Sequence, residues 1–216
     1  MKLSTDVKII TGVLSVTLII LFAGVFLLSK GSSTTSPSQK VDEALLIKSD
    51  SHKVGSDSAK VKVVEFGDYQ CPACGAANPI VERVLANYKD KILFVFRNFA
   101  FIGQESTWAA QAAECSAQQG KFWEYHNYLY DHQKGENQGN FSKDNLKSFA
   151  KFLNLDTQKF NSCLDTDKTL GVVSSDTADG QAAGVNSTPT FFINGEKNAG
   201  VLPEEKFKSL IDPLLK

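Results

Sequence analysis

The sequence predicts an α/β domain that contains an inserted all-helical segment and follows one N-terminal transmembrane helix. Three observations support this prediction. Short β-branched and aromatic runs at residues 61–66 and 92–96 flank a helical stretch, which is the pattern of buried strands in a β-α-β unit. The middle of the chain has apolar residues at helical spacing and no strand pattern. Residues 9–28 form an apolar run of 20 residues.

The apolar run near the N-terminus is the first element. At about 1.5 Å per residue, its length is sufficient to cross the hydrocarbon core of a bilayer. A cleavable signal peptide usually has an apolar region of only about 7–15 residues followed by small residues. We therefore interpret residues 1–30 as an uncleaved membrane anchor, with secretion after signal cleavage as the alternative. Lys2 and Lys8 precede the run, which favours a single-pass cell-membrane protein whose domain lies outside the cytoplasm.

A linker and the start of the α/β domain follow. Residues 31–40 are rich in Ser and Thr and predict a flexible linker, because such a composition buries too little apolar area to become ordered. The domain is expected to begin near Val41. Between its first two strands, a helix is predicted from Cys74 to about Tyr88, and Pro79 should bend it.

The inserted helical segment is predicted at residues 105–170, between two parts of the α/β domain at residues 41–104 and 171–216. Apolar residues in this segment recur at three- and four-residue intervals, as they do along one face of a helix. Ser142 and Asp156 are the expected N-caps of two of its helices.

The C-terminal part returns to strands. A strand is predicted at residues 190–193, where it ends at an Asn-Gly pair, a strong signal for a two-residue hairpin turn. The returning strand is placed at residues 199–202. The last helix is expected to begin after Pro203 and to continue through Ile211.

The composition gives no indication of nucleic acid, a metal or a cofactor. The chain has 23 basic and 24 acidic residues and a formal charge of −1, so no net field favours a polyanion. Its three histidines lack the spacing of metal ligands.

Cys71 and Cys74 are the residues most directly suited to chemistry. They are separated by Pro72 and Ala73, follow a predicted strand and open a predicted helix. The first sulfur should therefore lie beside the unpaired N–H groups and the positive dipole end of that helix, which stabilise a thiolate. A thiolate is the attacking species in disulfide exchange. Half of a zinc site and a structural disulfide are the alternatives, although the sequence has no second C-x-x-C pair.

Three segments resemble the DsbA-like branch of the thioredoxin superfamily. The run VEFGDYQCPAC at residues 64–74 is similar to the active-site segment of that branch. The run STPTFFING at residues 187–195 is similar to its second signature, a cis-proline loop followed by a strand, and QGKFWEYH at residues 119–126 is similar as well. The resemblance extends from about Leu45 to the C-terminus and implies a thioredoxin-like fold with an inserted helical domain.

The resemblance also implies roles for individual residues. Cys71 would be the nucleophile, Cys74 the resolving thiol and Pro189 the cis-proline, with the backbone of Thr188 pairing with the substrate chain. Glu65 matches the buried acid beneath the resolving thiol, where burial would raise its pKa and let it exchange protons with that thiol. A solvent-exposed acid at a strand end is the alternative for Glu65.

The two residues between the thiols affect substrate contact and whether the protein oxidises or reduces its substrates. Pro72 and Ala73 are expected to contact the substrate. Many strongly oxidising members of the branch have a His where this chain has Ala73, and without that cation the thiolate loses a stabilising partner. The oxidising power expected from the resemblance is reduced accordingly.

Cys115 and Cys163 form a second candidate pair. Each shares a helical stripe with apolar residues, so both should face the core of the inserted segment. A structural disulfide between them would close a span of 48 residues and contribute roughly 4 kcal/mol in the chain-entropy model. Two buried free thiols are the alternative; an oxidising compartment favours the disulfide.

The N-terminal apolar run and the resemblance together predict a membrane-tethered, cofactor-independent thiol–disulfide oxidoreductase that exchanges its Cys71–Cys74 disulfide with cysteines of exported or unfolded proteins. Introduction of disulfides is the favoured direction, with a membrane thiol oxidase as the recycling partner. The alternatives are a reductase or isomerase of the same fold, recycled by a membrane reductase, and a non-catalytic binding or chaperone module.

Overall fold

The computed structural model describes residues 40–216, and a five-stranded sheet forms its centre. The strands are β1 His52–Gly55, β2 Val61–Gly67, β3 Ile92–Asn98, β4 Thr190–Ile193 and β5 Glu196–Ala199. Their order in the sheet is β1-β3-β2-β4-β5. Strands β2 and β3 are parallel and all other neighbours are antiparallel, so the sheet is mixed, with its one parallel pair at the centre.

Within residues 40–216, eight α-helices cover this sheet or extend from it. They are α1 Glu43–Leu46, α2 Pro72–Tyr88, α3 Gln104–Ala117, α4 Phe122–Asp131, α5 Lys143–Phe152, α6 Thr157–Asp165, α7 Leu170–Ala182 and α8 Glu204–Ile211. Short 3₁₀ turns follow α2 and α8 at Lys89–Lys91 and Asp212–Leu215. Helix α2 is the crossover that a parallel β2–β3 pair requires.

The two faces of the sheet contribute to two apolar clusters. Alternate residues of a strand point to opposite faces, and on β2 Val61 and Val63 contact the larger cluster, which includes residues of α2 and of the inserted helices. Val64 and Phe66 contact a smaller cluster on the other face, with Leu46 of α1. All seven residues of β3 are buried, as expected for a central strand covered on both faces.

Most predicted elements lie where the sequence placed them. The strands predicted at residues 61–66, 92–96 and 190–193 correspond to β2, β3 and β4, and the final helix corresponds to α8. The returning hairpin strand was placed too late: it is Glu196–Ala199, not residues 199–202. Asn194 and Gly195 both have positive φ, 46° and 82°, which is the conformation of a type I′ turn and lets pairing resume at once.

Three elements lack a counterpart in the prediction. Helix α1 is a single turn of four residues, Glu43–Leu46. Strand β1 has only four residues at the sheet edge, and of these only Val54 is strongly apolar. Helix α7 contains Gly, Ser, Thr and Asp and has no clear apolar stripe. Helix α7 begins at Leu170, where the inserted segment was predicted to end, so it lies in the C-terminal part that was predicted to belong to the α/β domain.

A buried ion-pair network joins α7 to the sheet. Arg97 of β3 donates to Asp176 Oδ1 and to Asp179 Oδ2, each at 2.7 Å. It also donates to the carbonyl oxygen of Leu46 at 3.0 Å. The guanidinium group therefore links three elements on the face of the sheet opposite α2.

Within residues 40–216, no helix is both long and apolar enough to cross a membrane. The predicted anchor at residues 9–28 and nearly all of the predicted linker lie outside the described residues.

Candidate active site

Cys71 lies at the turn between β2 and α2. It is the N-cap residue of α2, with an extended backbone at φ −70° and ψ 116°, and Pro72 occupies the first helical position. Proline is favoured there because its fixed φ suits a helix and its missing N–H would be unpaired anyway. The carbonyl oxygen of Cys71 accepts from Gly75 N at 3.1 Å. The strand-to-helix turn thus directs the Cys71 side chain to the N-terminal end of the helix.

The two thiols of this turn differ in exposure. Both are free thiols; Cys71 retains 8% of its surface and Cys74 retains none. Cys71 Sγ lies 3.3 Å from the carbonyl oxygen of Thr188. A reagent or substrate can therefore approach Cys71 but not Cys74.

The surroundings shift the pKa values of the two thiols in opposite directions. A hydrogen bond from the Cys74 thiol, aided by the N–H groups of Ala73 and Cys74 and opposed by burial, lowers the pKa of Cys71 from 9.0 to about 6. Burial raises the pKa of Cys74 well above 9.0, and the hydrogen bond to Cys71 and the charge of Glu65 raise it further. At neutral pH the first sulfur is a thiolate and the second a thiol.

Glu65 lies inside the protein beneath this pair. It retains 3% of its surface, so the interpretation of Glu65 as a solvent-exposed acid is wrong. Burial, with a further contribution from the charge of Cys71, raises the pKa of its carboxyl from 4.5 to about 8. Glu65 can therefore hold or release a proton near neutral pH.

The loop before β4 lies opposite Cys71. Its Thr188–Pro189 peptide bond is cis, and both residues are buried. The antiparallel pairing of Phe66 with Thr190 holds this loop beside the end of β2. Gly200 N donates to the carbonyl oxygen of Pro189 at 2.8 Å. The residues that the sequence placed at the site, about 115 positions apart, are thus adjacent in the fold.

Asp68 fixes the loop that carries the first thiol. Its Oδ1 accepts from Gln70 N at 2.8 Å and from Ser106 Oγ at 2.6 Å. Its Oδ2 accepts from Phe101 N at 2.9 Å and Ile102 N at 3.2 Å. No role for Asp68 was predicted from the sequence, although an Asp bonded to the backbone two residues later is a known turn pattern.

The inserted helical segment also supports the active-site loop. Gln133 Nε2 donates to the carbonyl oxygens of Tyr69 at 2.6 Å and Cys71 at 3.1 Å. Gln70 Oε1 accepts from Asn137 N at 2.6 Å. These partners are more than 60 residues apart, and no local signal in the sequence could have identified them.

An aromatic cluster lies behind the loop. Tyr69 Oη is 2.9 Å from His126 Nδ1, and the Tyr69 ring lies 5.0 Å from that of Tyr130. Burial, with a smaller effect from the charge of His52, lowers the pKa of His126 to about 3. His126 is therefore neutral at physiological pH and is a structural partner of Tyr69.

Cys115 and Cys163 form a disulfide between α3 and α6, with Cα atoms 5.9 Å apart. Both are buried, so this pair crosslinks the inserted helices and does not take part in the Cys71–Cys74 site. Among residues 40–216, no cluster of His, Cys, Asp or Glu is suited to a metal ion.

The chain is similar to known proteins over most of its length. A family model described as thioredoxin matches residues 48–213. A probable disulfide bond formation protein D from Bacillus cereus is 34% identical over 170 residues, covering 76% of this chain and 78% of that protein. The structure of oxidised BdbD from Bacillus subtilis is similar with a TM-score of 0.70 and 28% identity, covering 76% of this chain and 91% of that one. The structure of α-DsbA1 from Wolbachia pipientis is similar with a TM-score of 0.71 and 23% identity, covering 80% of this chain and 94% of that one. At this identity the similarity concerns the fold alone.

Other relatives are much longer proteins. A Na⁺/H⁺ antiporter NhaA 3 from Salinispora tropica is 34% identical over 151 residues, which is 69% of this chain. The chain spans only 22% of the length of that antiporter. Because the match covers so small a part of that antiporter, no ion transport is assigned to this chain.

Proposed function

Because this chain belongs to the DsbA-like branch of the thioredoxin superfamily, we propose that it catalyses thiol–disulfide exchange through Cys71 and Cys74. The observation that carries the proposal is the opposite shift of the two thiol pKa values at one helix N-terminus. A low-pKa thiolate that retains some accessible surface is the attacking and leaving sulfur that exchange requires, and a fully buried thiol next to it can resolve a mixed disulfide.

The reaction in the oxidising direction begins from the Cys71–Cys74 disulfide. A substrate thiolate attacks Cys71 Sγ, a substrate–Cys71 disulfide forms, and the electron pair of the broken S–S bond leaves with Cys74. A second substrate thiolate then attacks the substrate sulfur of that mixed disulfide and releases Cys71 as a thiolate. Two substrate thiols are oxidised to a disulfide, and the protein disulfide is reduced to a dithiol.

Glu65 supplies the proton that Cys74 requires. The thiolate of Cys74 is unfavourable in its buried position, so the proton of the Glu65 carboxyl passes to sulfur as Cys74 leaves. In the reducing direction the carboxylate takes the proton back and makes Cys74 a nucleophile. A pKa near 8 for Glu65 allows both steps at physiological pH.

Substrate contact is proposed for the surface around Cys71. Pro72 is exposed and Ala73 is half-buried, while the buried Thr188 lies on the other side of the sulfur. An extended segment with a reactive cysteine can lie between these two sides, with its backbone beside Thr188. Cysteine-containing exported or unfolded proteins present such segments.

The introduction of disulfides is the direction we propose. A relative named disulfide bond formation protein D supports it. A reductase or isomerase is the second candidate, because Ala73 supplies no cation and because a Cys71 pKa of about 6 is nearer to the value of about 7 in thioredoxin than to about 3.5 in DsbA. A measurement of the reduction potential of the Cys71–Cys74 pair would decide between these two directions.

We place the domain outside the cytoplasm, tethered by the apolar residues 9–28 and recycled by a membrane thiol oxidase, or by a reductase if the second candidate holds. The Cys115–Cys163 disulfide supports this location, since such bonds persist in oxidising compartments.

Two measurements on the purified protein test the proposal. Exchange with a dithiol peptide should be rapid in wild type, absent in Cys71→Ser and retained in the matched control Cys115→Ala/Cys163→Ala. A reduction potential near −120 mV supports disulfide formation, and one near −270 mV supports the reductase. Slow alkylation of Cys71 at pH 6 in reduced wild type, together with no exchange, would overturn the proposal in favour of a non-catalytic binding module.

A further inference from the structure

The hydroxyl of Tyr130 is a buried polar group that the exchange reaction, as described, does not use. Tyr130 belongs to α4 of the inserted segment and is buried. Among residues 40–216, no protein atom hydrogen-bonds to its Oη. Burying a hydroxyl without a partner costs free energy, whereas a phenylalanine ring at this position would avoid that cost.

The position of this hydroxyl relative to β2 is unusual. A Cβ atom placed on Gly67 would lie 2.8 Å from Tyr130 Oη and 2.7 Å from Phe96 Cε2. Such distances are closer than non-bonded contact allows, so only the absence of a side chain at position 67 admits the hydroxyl. The tyrosine therefore approaches the backbone of β2 at its C-terminal end.

Glu65 shares this face of the strand. Residues 61 and 63 of β2 contact the same apolar cluster as Tyr130 and Cys74, and because side chains alternate, residues 65 and 67 point to that face too. Two residues along a strand are about 6.6 Å apart. A glutamate side chain can cover most of this separation. The two groups are not hydrogen-bonded in this structure, and one bridging water can span what remains.

The charges around the hydroxyl agree with this placement. Burial raises the pKa of Tyr130 well above 10.0, and the next largest effects come from the charges of Cys74 and Glu65. The phenol therefore keeps its proton throughout the reaction and is available as a donor. The titratable groups that face Glu65 and Tyr130 are Cys71, Cys74, Asp68, Tyr69 and His126.

We propose that Tyr130 is a positioning residue that donates a hydrogen bond to the Glu65 carboxylate whenever that group is ionised. The inference rests on the proposed exchange function. When Cys74 leaves as a thiolate, the Glu65 carboxyl transfers its proton to sulfur and becomes a carboxylate, while Tyr130 keeps its own proton. The proton transfer itself changes no oxidation state, because the two electrons of the broken S–S bond have already left with Cys74. The hydrogen bond offsets part of the cost of a buried negative charge and makes the transfer reversible.

Tyr130→Phe is the direct test, because it removes one oxygen atom and preserves the ring. The carboxyl of Glu65 is titrated in the reduced full-length protein by NMR with ¹³C-labelled glutamate. We expect the pKa of Glu65 to rise by at least about one, a tenfold change in its protonation equilibrium. The pH profile of the resolving step, in which Cys74 displaces a mixed disulfide formed on Cys71, should shift as well.

Tyr125→Phe is the matched control. Tyr125 lies on the same helix, is buried, and donates to the carbonyl oxygen of Leu146 at 2.8 Å. Its variant should lose stability and leave the Glu65 titration unchanged. In a Glu65→Gln background, Tyr130→Phe should have no further effect on the rate at which Cys74 resolves a mixed disulfide on Cys71.

The outcomes separate this inference from the proposed function. An unchanged Glu65 titration in Tyr130→Phe, with equal or higher thermal stability, would overturn the role of Tyr130 and leave exchange by wild type unaffected. Absence of exchange in wild type would overturn the proposed function. The NMR titration would still report whether the Tyr130 hydroxyl stabilises the Glu65 carboxylate.

Discussion

Replacement of Glu65 by Gln should make the reduced protein more stable at high pH than wild type. The carboxyl of Glu65 has a pKa of about 8 in the folded protein against 4.5 without burial. A glutamine has nearly the same shape but does not titrate. The difference between the two proteins therefore isolates the cost of keeping an ionisable group in this position.

The magnitude follows from linkage. A group whose pKa is raised by folding stabilises the folded state fully below its unfolded pKa, and this contribution is lost as the pH rises through the folded pKa. For Glu65 the loss occurs between pH 4.5 and about pH 8. At about 1.4 kcal/mol per pH unit, it amounts to about 3 kcal/mol at pH 7 and about 5 kcal/mol above pH 8.

Urea unfolding from pH 4 to pH 9, with both proteins in the same excess of reductant, measures this difference. Under these conditions the Cys115–Cys163 pair affects both proteins equally. The stability of Glu65→Gln relative to wild type should increase steadily with pH. Glu136→Gln, at an exposed position, is the matched control for the same substitution outside the buried site. A constant difference between Glu65→Gln and wild type across this range would refute the reasoning.

Three further outcomes are expected. Alkylation of Cys71 in reduced protein should follow thiolate formation with a midpoint near pH 6, and a midpoint near the ordinary value of 9.0 would contradict the assigned environment. The double variant Cys115→Ala/Cys163→Ala should lose roughly 4 kcal/mol of stability, because an opened 48-residue loop regains chain entropy; urea unfolding under non-reducing conditions measures this, and an unchanged midpoint would contradict it. Arg97→Ala should cost about 3–5 kcal/mol, since it leaves Asp176 as a buried carboxylate without its main partner. Thermal unfolding measures that loss of stability. The double variant Arg97→Met/Asp176→Asn should lose less stability than Arg97→Ala, and a surface variant such as Lys134→Ala should lose none.

Local sequence patterns were sufficient to predict the elements whose start or end is set by a few neighbouring residues. The strand before Cys71, the helix after it and the hairpin turn after β4 are each encoded by neighbouring residues. The end of that hairpin was misplaced because the turn residues decide where pairing resumes, and apolar character alone suggested a later strand. Helix α7 was missed because its sequence lacks an apolar stripe.

The contacts that hold the active-site loop in place could not be predicted from local sequence patterns. Gln133 and Asn137 bond to the loop before Cys71 from more than 60 residues away. The Tyr130 hydroxyl reaches β2 only because position 67 is a glycine. Such contacts depend on how the inserted helices pack on the sheet, and no periodicity or turn signal records that packing.

By itself, the sequence determined the identity of the two reactive cysteines, their place at a strand-to-helix turn and the resemblance that named Glu65 and Pro189. These follow from contiguous residues, because a helix N-terminus and a short motif are local features. The tertiary structure decided how deeply Glu65 and Cys74 are buried, which groups face them and hence the direction of each pKa shift. Burial and through-space charge depend on residues that are distant along the chain, so only the folded arrangement sets them.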